Sequence, residues 1–259
     1  MTHSPTLTPC ILKQANVHFT PRPHLDNIAR EEIVQSFVLA TGVLSRLVCS
    51  SKILLEQFTS ANGPTVLCAT SLLALDMPPT ASADFVKILS QMARSNVNCY
   101  PSIDAAQGAH LYDFIRALLH QSPDPNLRGK LCNLLGNMCR HSDYFYEVLK
   151  NHGLIEALIG QLSDRNVAPR KFACFGIGNA AFHSAQLYSE LAPALPKLVL
   201  ILADKDEKIQ ANAAGAIGNL LRNSGQVRRH NMRMPAWHKF ELKQYYWVPN
   251  TCSLKRFRN

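Results

Sequence analysis

The sequence has no run of apolar residues long enough to cross a membrane. The longest candidate, residues 195–203, is interrupted by Pro196 and Lys197, whereas a spanning helix needs about 20 apolar residues. The N-terminus also lacks a basic segment followed by an apolar core, so we expect no secretory signal. These absences predict a cytoplasmic protein, with the nucleus as a further location.

Motifs of catalysis and metal binding are also missing. The eight cysteines are scattered without a CxxC pair, and most lie in apolar runs, which predicts buried free thiols rather than disulfides or a metal site. His141, His152 and His183 do not share the spacing of metal ligands. No glycine-rich phosphate loop, HRD or DFG motif of a protein kinase occurs. We therefore expect no enzyme activity, no metal and no cofactor.

Acidic residues are scarce, and the positive charge is unevenly distributed. The chain has 27 Lys and Arg against 18 Asp and Glu, a net charge of +9. Residues 224–259 account for +7 of this and contain both tryptophans, Trp237 and Trp247. One interpretation is a tail that binds nucleic acid or an anionic surface. We favour a disordered tail that ends a truncated array, and we expect no nucleic-acid partner.

A repeated signature organises the central part of the chain. Gly-Asn doublets occur at Gly136-Asn137, Gly178-Asn179 and Gly218-Asn219, in runs rich in Leu and Ala that favour helix. Apolar residues make up 47% of the chain, which is typical of a globular protein. A period near 40 residues predicts a helical solenoid, in which each unit buries its apolar face against its neighbours.

Each unit divides into a short, a longer and a still longer third helix, which is the arrangement of armadillo repeats. The predicted third helices cover residues 129–141, 170–183 and 207–223. The predicted fold is all-α, an armadillo/HEAT-like right-handed superhelical solenoid. It comprises a poorly ordered lead-in (1–24), degenerate helical repeats (25–108), three armadillo-type repeats (109–223) and the basic aromatic tail (224–259).

The third unit has no recognisable repeat after it. Its third helix carries an apolar stripe, and a solenoid unit normally buries such a stripe under the next unit. The sequence therefore predicts an exposed apolar face formed by Ala213, Ile217, Leu220 and Leu221.

The segment Gly176-Ile177-Gly178-Asn179-Ala180-Ala181 matches the GxGxxA form of the dinucleotide-binding fingerprint. That motif works only between a strand and the start of a helix, where backbone amides reach a pyrophosphate. The flanking residues here continue a helix instead. We interpret the small residues as positions where neighbouring helices approach closely.

The repeated asparagines are candidates for binding a partner. We call the surface formed by the third helices the third-helix face, which lines the groove of armadillo arrays. An amide there offers both a donor and an acceptor to the backbone of an extended peptide. Equally, each asparagine can bond to the neighbouring repeat and hold the stacking. For the histidines and arginines on this face, the competing interpretation is a solvated surface. The candidate groove residues are Asn137, Asn179, Asn219, His141, His183, Arg140, Arg222 and Phe182.

The segments RKFACFGIGNAAFHS, LYSEL and KIQANAAGAIGNLLRNS resemble the C-terminal armadillo region of the Fused family of serine/threonine kinases. The resemblance covers at least residues 109–223. It implies a non-catalytic regulatory segment that acts in Hedgehog signalling and motile cilium assembly, with Hedgehog-pathway and ciliary proteins as partners. The kinase domain has no counterpart in this sequence, and the tail after Ser224 departs from the family.

Overall fold

The structure is a computed structural model that describes residues 27–72, 78–223, 245–248 and 253–256. The chain divides into two compact units, residues 1–114 and 115–259. The boundary falls inside a helix, a few residues after the predicted limit of the degenerate repeats. Among the described residues, no helix combines the length and the apolar character that crossing a bilayer requires.

Helices account for nearly all of the described residues, and two short strands form the remainder of the regular structure. The helices are α1 (Asn27–Ser50), α2 (Lys52–Ser60), α3 (Gly63–Leu72), α4 (Pro79–Ser95), α5 (Tyr100–Asp104), α6 (Leu111–Gln121), α7 (Pro125–Met138), α8 (Tyr146–Asn151), α9 (Leu154–Gly160), α10 (Val167–Ala180), α11 (Tyr188–Leu191), α12 (Ala194–Ile201) and α13 (Glu207–Asn223). Short 3₁₀ turns cover Val97–Cys99, Ala105–Ala109 and Gln161–Ser163. Strands β1 (Tyr245–Val248) and β2 (Ser253–Arg256) pair antiparallel.

In the first unit, α1 packs against α2 and α4, and α3 against the 3₁₀ turn at Ala105–Ala109. The side chains of Phe58, Phe85, Leu89 and Met92 are fully buried in its core. Ser51 caps α2, because its hydroxyl oxygen accepts a hydrogen bond from the Leu54 amide at 3.4 Å. Capping of this kind satisfies one of the first-turn amides that have no partner within a helix. The helical character predicted for this half is thus present.

The third helices are α7, α10 and α13, and the first two begin earlier than predicted. Asp124 caps α7 by accepting from the Asn126 amide at 2.8 Å, and Pro125 follows it as the first helical residue. In α10, Pro169 lies in the first turn rather than in the preceding loop. A proline is tolerated there because a first-turn amide has no partner within the helix. The prolines therefore mark the starts of these helices.

The third helices pack directly against one another, with α10 between α7 and α13. Small residues allow the close approach. A Cβ atom added at Gly136 would lie 2.6 Å from Cδ1 of Phe175 and 3.0 Å from Cα of Gly176. Real Cβ atoms do not come as close as the first of these distances, so α7 has no room for a larger residue at this position.

The predicted exposed apolar face on α13 is wrong for three of its four residues. Ala213, Ile217 and Leu220 have no exposed surface, and Leu221 is partly exposed. Helix α13 packs against α10, α12 and strand β1, and these contacts cover the stripe. No apolar patch therefore remains at these three positions.

Most residues at the two ends of the chain lie outside the part that the structure describes. The lead-in, residues 1–24, lies outside the described residues, and so does the tail apart from the two strands. The disorder of the tail and its alternative role in binding nucleic acid or an anionic surface therefore stay predictions.

We expect Gly136→Ala to lower the free energy of unfolding by about 1–3 kcal/mol, because the added methyl group overpacks the contact with Phe175 and Gly176. Gly160→Ala is the matched control. It lies in the helical region of the backbone with nothing within 4 Å of the added Cβ, so its stability should stay equal to the parent or rise slightly. Urea unfolding followed by circular dichroism measures both. Equal midpoints for the two variants would contradict the close approach.

Candidate functional site

The signature asparagines bond one third helix to the next. Nδ2 of Asn179 donates to the backbone oxygen of Gly136 at 2.7 Å, and Nδ2 of Asn219 donates to that of Gly178 at 2.9 Å. Asn179 and Asn219 have no exposed surface, and Asn137 is 3% exposed. The amide groups thus lie within the packing between repeats.

These bonds are the ones expected if each asparagine bonds to the neighbouring repeat and holds the stacking. At Asn219, Oδ1 is buried and has no hydrogen-bond partner among the described residues. A buried acceptor without a donor costs about 1–3 kcal/mol, so this last asparagine stabilises the array less than a fully bonded amide would. A contact of the three asparagines with a peptide backbone stays a prediction.

The histidine and arginine candidates lie at the ends of the third helices, in part beyond them. Helix α7 ends at Met138 and α10 at Ala180, so Arg140, His141, Phe182 and His183 follow in the turns. The Arg140 and Phe182 amides bond back to the carbonyls of Asn137 and Asn179, which closes each turn. Arg222 remains within α13. The predicted continuation of α7 and α10 through the histidines is therefore wrong.

The same side chains connect adjacent repeats. Nη2 of Arg222 donates to the Phe182 carbonyl at 3.2 Å, and its guanidinium carbon lies 4.6 Å from the centre of the Phe182 ring. Nε2 of His183 lies 3.1 Å from the Arg140 carbonyl oxygen, so the tautomer protonated at Nε2 donates to it. Phe182 and His183 meet edge to face at 5.0 Å. Arg140 is 9% exposed, whereas His141, Phe182, His183 and Arg222 are partly exposed.

Two buried tyrosines, which were not predicted from the sequence, bond to backbone carbonyls at the C-terminal ends of the third helices. The Tyr146 hydroxyl donates to the Asn179 carbonyl at 3.2 Å. The Tyr188 hydroxyl lies 2.8 Å from the Ala181 carbonyl and 3.4 Å from that of Asn219. Burial raises the pKa of Tyr146, which keeps its hydroxyl protonated as a donor. Their spacing of one repeat was the available signal.

Two Arg–Asp pairs, also missed, connect the repeats at the opposite end of the third helices. Nη2 of Arg128 lies 2.8 Å from Oδ2 of Asp164, and Nε of Arg170 lies 2.8 Å from Oδ2 of Asp204. Their side chains are 10–18% exposed. Burial opposes ionisation of Asp164, but hydrogen bonds from the Asn166 amide and from Arg128 outweigh it and lower the pKa. The hydrogen bond from Arg170 is the main cause of the lowered pKa of Asp204.

Other polar and aromatic side chains remain accessible on the third-helix face. Lys130 lies seven residues before Asn137, Phe172 seven before Asn179 and Asn212 seven before Asn219. Seven residues turn an α-helix to within about 20° of the starting direction, so these side chains share the face of the asparagines. Lys130 is exposed and Phe172 and Asn212 are partly exposed. Nδ2 of Asn212 donates to the Lys171 carbonyl at 3.1 Å, so Asn212 also joins two repeats, but unlike the buried asparagines these three residues keep accessible surface.

Within the described ranges, no group of three or more His, Cys, Asp or Glu side chains is arranged to hold a metal ion. The six cysteines there are free thiols, and five are buried. Burial raises the pKa of Cys139 and Cys174 to about 12. These thiols are therefore protonated at neutral pH and pack as small apolar groups.

Comparison with known proteins agrees with this geometry. Residues 192–222 match the Armadillo/beta-catenin-like repeat family. A designed armadillo repeat protein in complex with the peptide (KR)4 superposes with a TM-score of 0.74 at 18% identity, covering 95% of this chain and 97% of that protein. A computationally designed armadillo repeat protein for modular peptide recognition gives a TM-score of 0.72 at 19% identity, with 90% and 91% covered. This chain has the armadillo fold.

The armadillo chain is also similar in sequence to Fused-type kinases. It is 30% identical over 190 residues to serine/threonine-protein kinase 36 of Pongo abelii, with 70% of this chain and 14% of the kinase covered. The mouse protein of the same name gives 30% over 189 residues, with 70% and 14% covered. Serine/threonine-protein kinase TIO of Arabidopsis thaliana is 41% identical over 157 residues, with 60% and 12% covered.

The chain therefore spans about one seventh of the mammalian kinases. It resembles their armadillo-repeat region and not their catalytic domain.

We expect Asn179→Ala to lower the urea midpoint of unfolding, at a cost of about 1–3 kcal/mol, because the Gly136 carbonyl loses its buried donor. Asn219→Ala should cost less, since it also removes an acceptor without a partner. Asn126→Ala is the control, because that side chain is exposed and should change stability by less than about 0.5 kcal/mol. If Asn179→Ala and Asn126→Ala unfold at the same urea concentration, the bond to Gly136 does not stabilise the array.

Proposed function

We propose that this chain is a non-catalytic protein-interaction scaffold that binds an extended peptide segment along the third-helix face. The observation that carries the proposal is the accessible row formed by Lys130, Phe172 and Asn212, one residue from each third helix at the same helical position. A row of equivalent positions repeats at a constant interval, as the side chains of an extended peptide do.

The two designed armadillo proteins support a peptide as the partner, because one is in complex with (KR)4 and the other is described as made for modular peptide recognition. Phe172 and Phe182 provide apolar contact area beside the asparagines. Aromatic side chains carry a large share of binding energy in protein interfaces. We infer that the asparagines hold the repeats in place while these neighbouring side chains contact the partner.

Selection from an unbiased library of linear peptides tests this proposal. Peptides that bind the parent chain should bind the double variant Phe172→Ala/Phe182→Ala at least about tenfold more weakly, because each ring loses contact area of the kind that interface hot spots supply.

The double variant Ile53→Ala/Leu200→Ala is the matched control. Those apolar side chains are 68% and 77% exposed and do not belong to the third helices, so the affinity should stay at the parent value. Circular dichroism checks that both variants remain folded. Peptides that bind the Phe172→Ala/Phe182→Ala variant as tightly as the parent would reject the third-helix face as the binding site.

We also propose that the chain has the regulatory role of the armadillo region of Fused-type kinases in Hedgehog signalling and motile cilium assembly. The sequence similarity to the two mammalian kinases supports this role. The partners would then be Hedgehog-pathway and ciliary proteins, reached in the cytoplasm or the cilium.

A segment exchange tests the regulatory role. In cells that lack serine/threonine-protein kinase 36, we express the mouse kinase with the aligned segment either replaced by this chain or deleted. The exchanged protein should restore a Hedgehog transcriptional reporter and ciliary beating, whereas the deletion should not. If the deletion protein restores both readouts as well as the intact kinase does, the aligned segment has no such role.

A further inference from the structure

We propose that the segment bound on the third-helix face is acidic, with carboxylates that contact lysine ammonium groups on all three third helices. This inference rests on the proposed scaffold function and adds the chemical class of the partner. Charge complementarity between a peptide and its binding surface sets which partner is accepted and how fast it associates.

The third helices carry almost no negative charge. Residues 125–142, 165–189 and 208–223 contain no Asp and no Glu, and the turns that follow α7 and α10 are included in these ranges. The same ranges contain Lys130, Lys171 and Lys208. An extended peptide that follows the asparagines therefore meets a lysine on each helix, and the one carboxylate on the three helices is that of Glu207, the exposed first residue of α13.

The nearest repeated carboxylates are already paired. Asp164 and Asp204 lie before the second and third of these helices and bond to Arg128 and Arg170 of the preceding repeat. Each pair is largely buried, so its two charges cancel at the edge of the face. These aspartates consequently offer nothing to a basic peptide, and the two arginines add nothing to the binding of an acidic one.

The three lysines are differently placed. Lys130 and Lys208 are exposed, and neither forms an ion pair within the described part of the chain. Lys130 lies seven and Lys208 eleven residues before the asparagine of its helix, and both intervals return to within about 20° of the asparagine direction. Nζ of Lys171 lies 5.7 Å from the centre of the Phe172 ring. Each third helix thus places one ammonium group on this face or beside it.

The spacing of these groups suits an extended chain. Packed helices lie about 8–10 Å apart, so three adjacent third helices extend over roughly 20 Å. An extended peptide advances about 3.3 Å per residue, and about six residues therefore cover the three helices. A peptide of about eight residues is long enough to place carboxylates near all three lysines.

Three labelled octapeptides of equal length test the charge preference of the full 259-residue chain. They are the acidic (Asp-Glu)4, the basic (Lys-Arg)4 and the neutral (Ser-Thr)4. Fluorescence anisotropy at low and at physiological salt measures binding. We expect (Asp-Glu)4 to bind tightest and to weaken as salt screens the exposed charges. Binding of the basic or the neutral peptide at equal or higher affinity would overturn the proposal, and so would the failure of (Asp-Glu)4 to bind.

A pair of charge-reversal variants separates the third-helix face from the rest of the molecule. Lys130→Glu/Lys208→Glu should weaken binding of (Asp-Glu)4 by about tenfold or more, because two attractive contacts become repulsive. Lys52→Glu/Lys87→Glu makes the same change of net charge at exposed lysines of the first unit and should stay within about twofold of the parent. Equal loss in both variants, or no loss in the first, would place the acidic peptide elsewhere, including on the basic tail, and overturn the proposal.

Peptides from the unbiased library separate this inference from the scaffold function. If the selected peptides depend on Phe172 and Phe182 but are neutral or basic, the charge preference is wrong and the scaffold function stands. If no peptide depends on those rings, the scaffold function is wrong and the inference falls with it.

Discussion

The array of repeats depends on one type of contact, which forms twice between the three signature doublets. The glycine of one repeat leaves room for the next third helix and presents its carbonyl, and the asparagine of the next repeat donates to that carbonyl. Gly136 and Asn179 form the first such contact at 2.7 Å, and Gly178 and Asn219 the second at 2.9 Å. At Gly136 the close approach of the helices leaves no room for a Cβ atom, whereas a Cβ added at Gly178 would lie at ordinary contact distance from Ala216. The glycine and the asparagine that form one contact therefore belong to neighbouring repeats.

Additional bonds hold both ends of the third helices. Arg128 and Arg170 hold the beginning of each helix to the loop of the following repeat. At the other end, the carbonyls after the last helical bonds accept from Tyr146, Tyr188 and Arg222. Helix ends leave carbonyls without an intrahelical partner. Here Tyr188 and Arg222 donate from the next repeat, and Tyr146 donates from the same repeat. Register between repeats thus follows from hydrogen bonds, while apolar packing supplies most of the stability.

The features of this array that the sequence predicted are those that recur with the Gly-Asn signature. A period near 40 residues and the Gly-Asn doublets located the three third helices, and the possible bond to a neighbour was one of two interpretations of the asparagines. The Arg–Asp pairs were not predicted, because each joins residues 34 or 36 positions apart across two repeats. Only the spatial stacking brings such residues together. Helix starts were misjudged at Pro125 and Pro169, where a proline opens a helix as readily as it ends one.

The third helices bury some of their side chains in the packing between repeats and leave others accessible. The groups that hold the repeats together point into the packing, so the armadillo fold can be kept while the accessible positions of the third helices vary. Lys130, Phe172 and Asn212 occupy the same helical position and differ in charge and polarity. The fold sets the spacing between the positions that contact a partner, and the accessible residues at those positions determine which type of partner binds. In this chain those residues are lysines and aromatic rings on helices that carry almost no carboxylates, and this charge distribution is the basis for proposing an acidic partner.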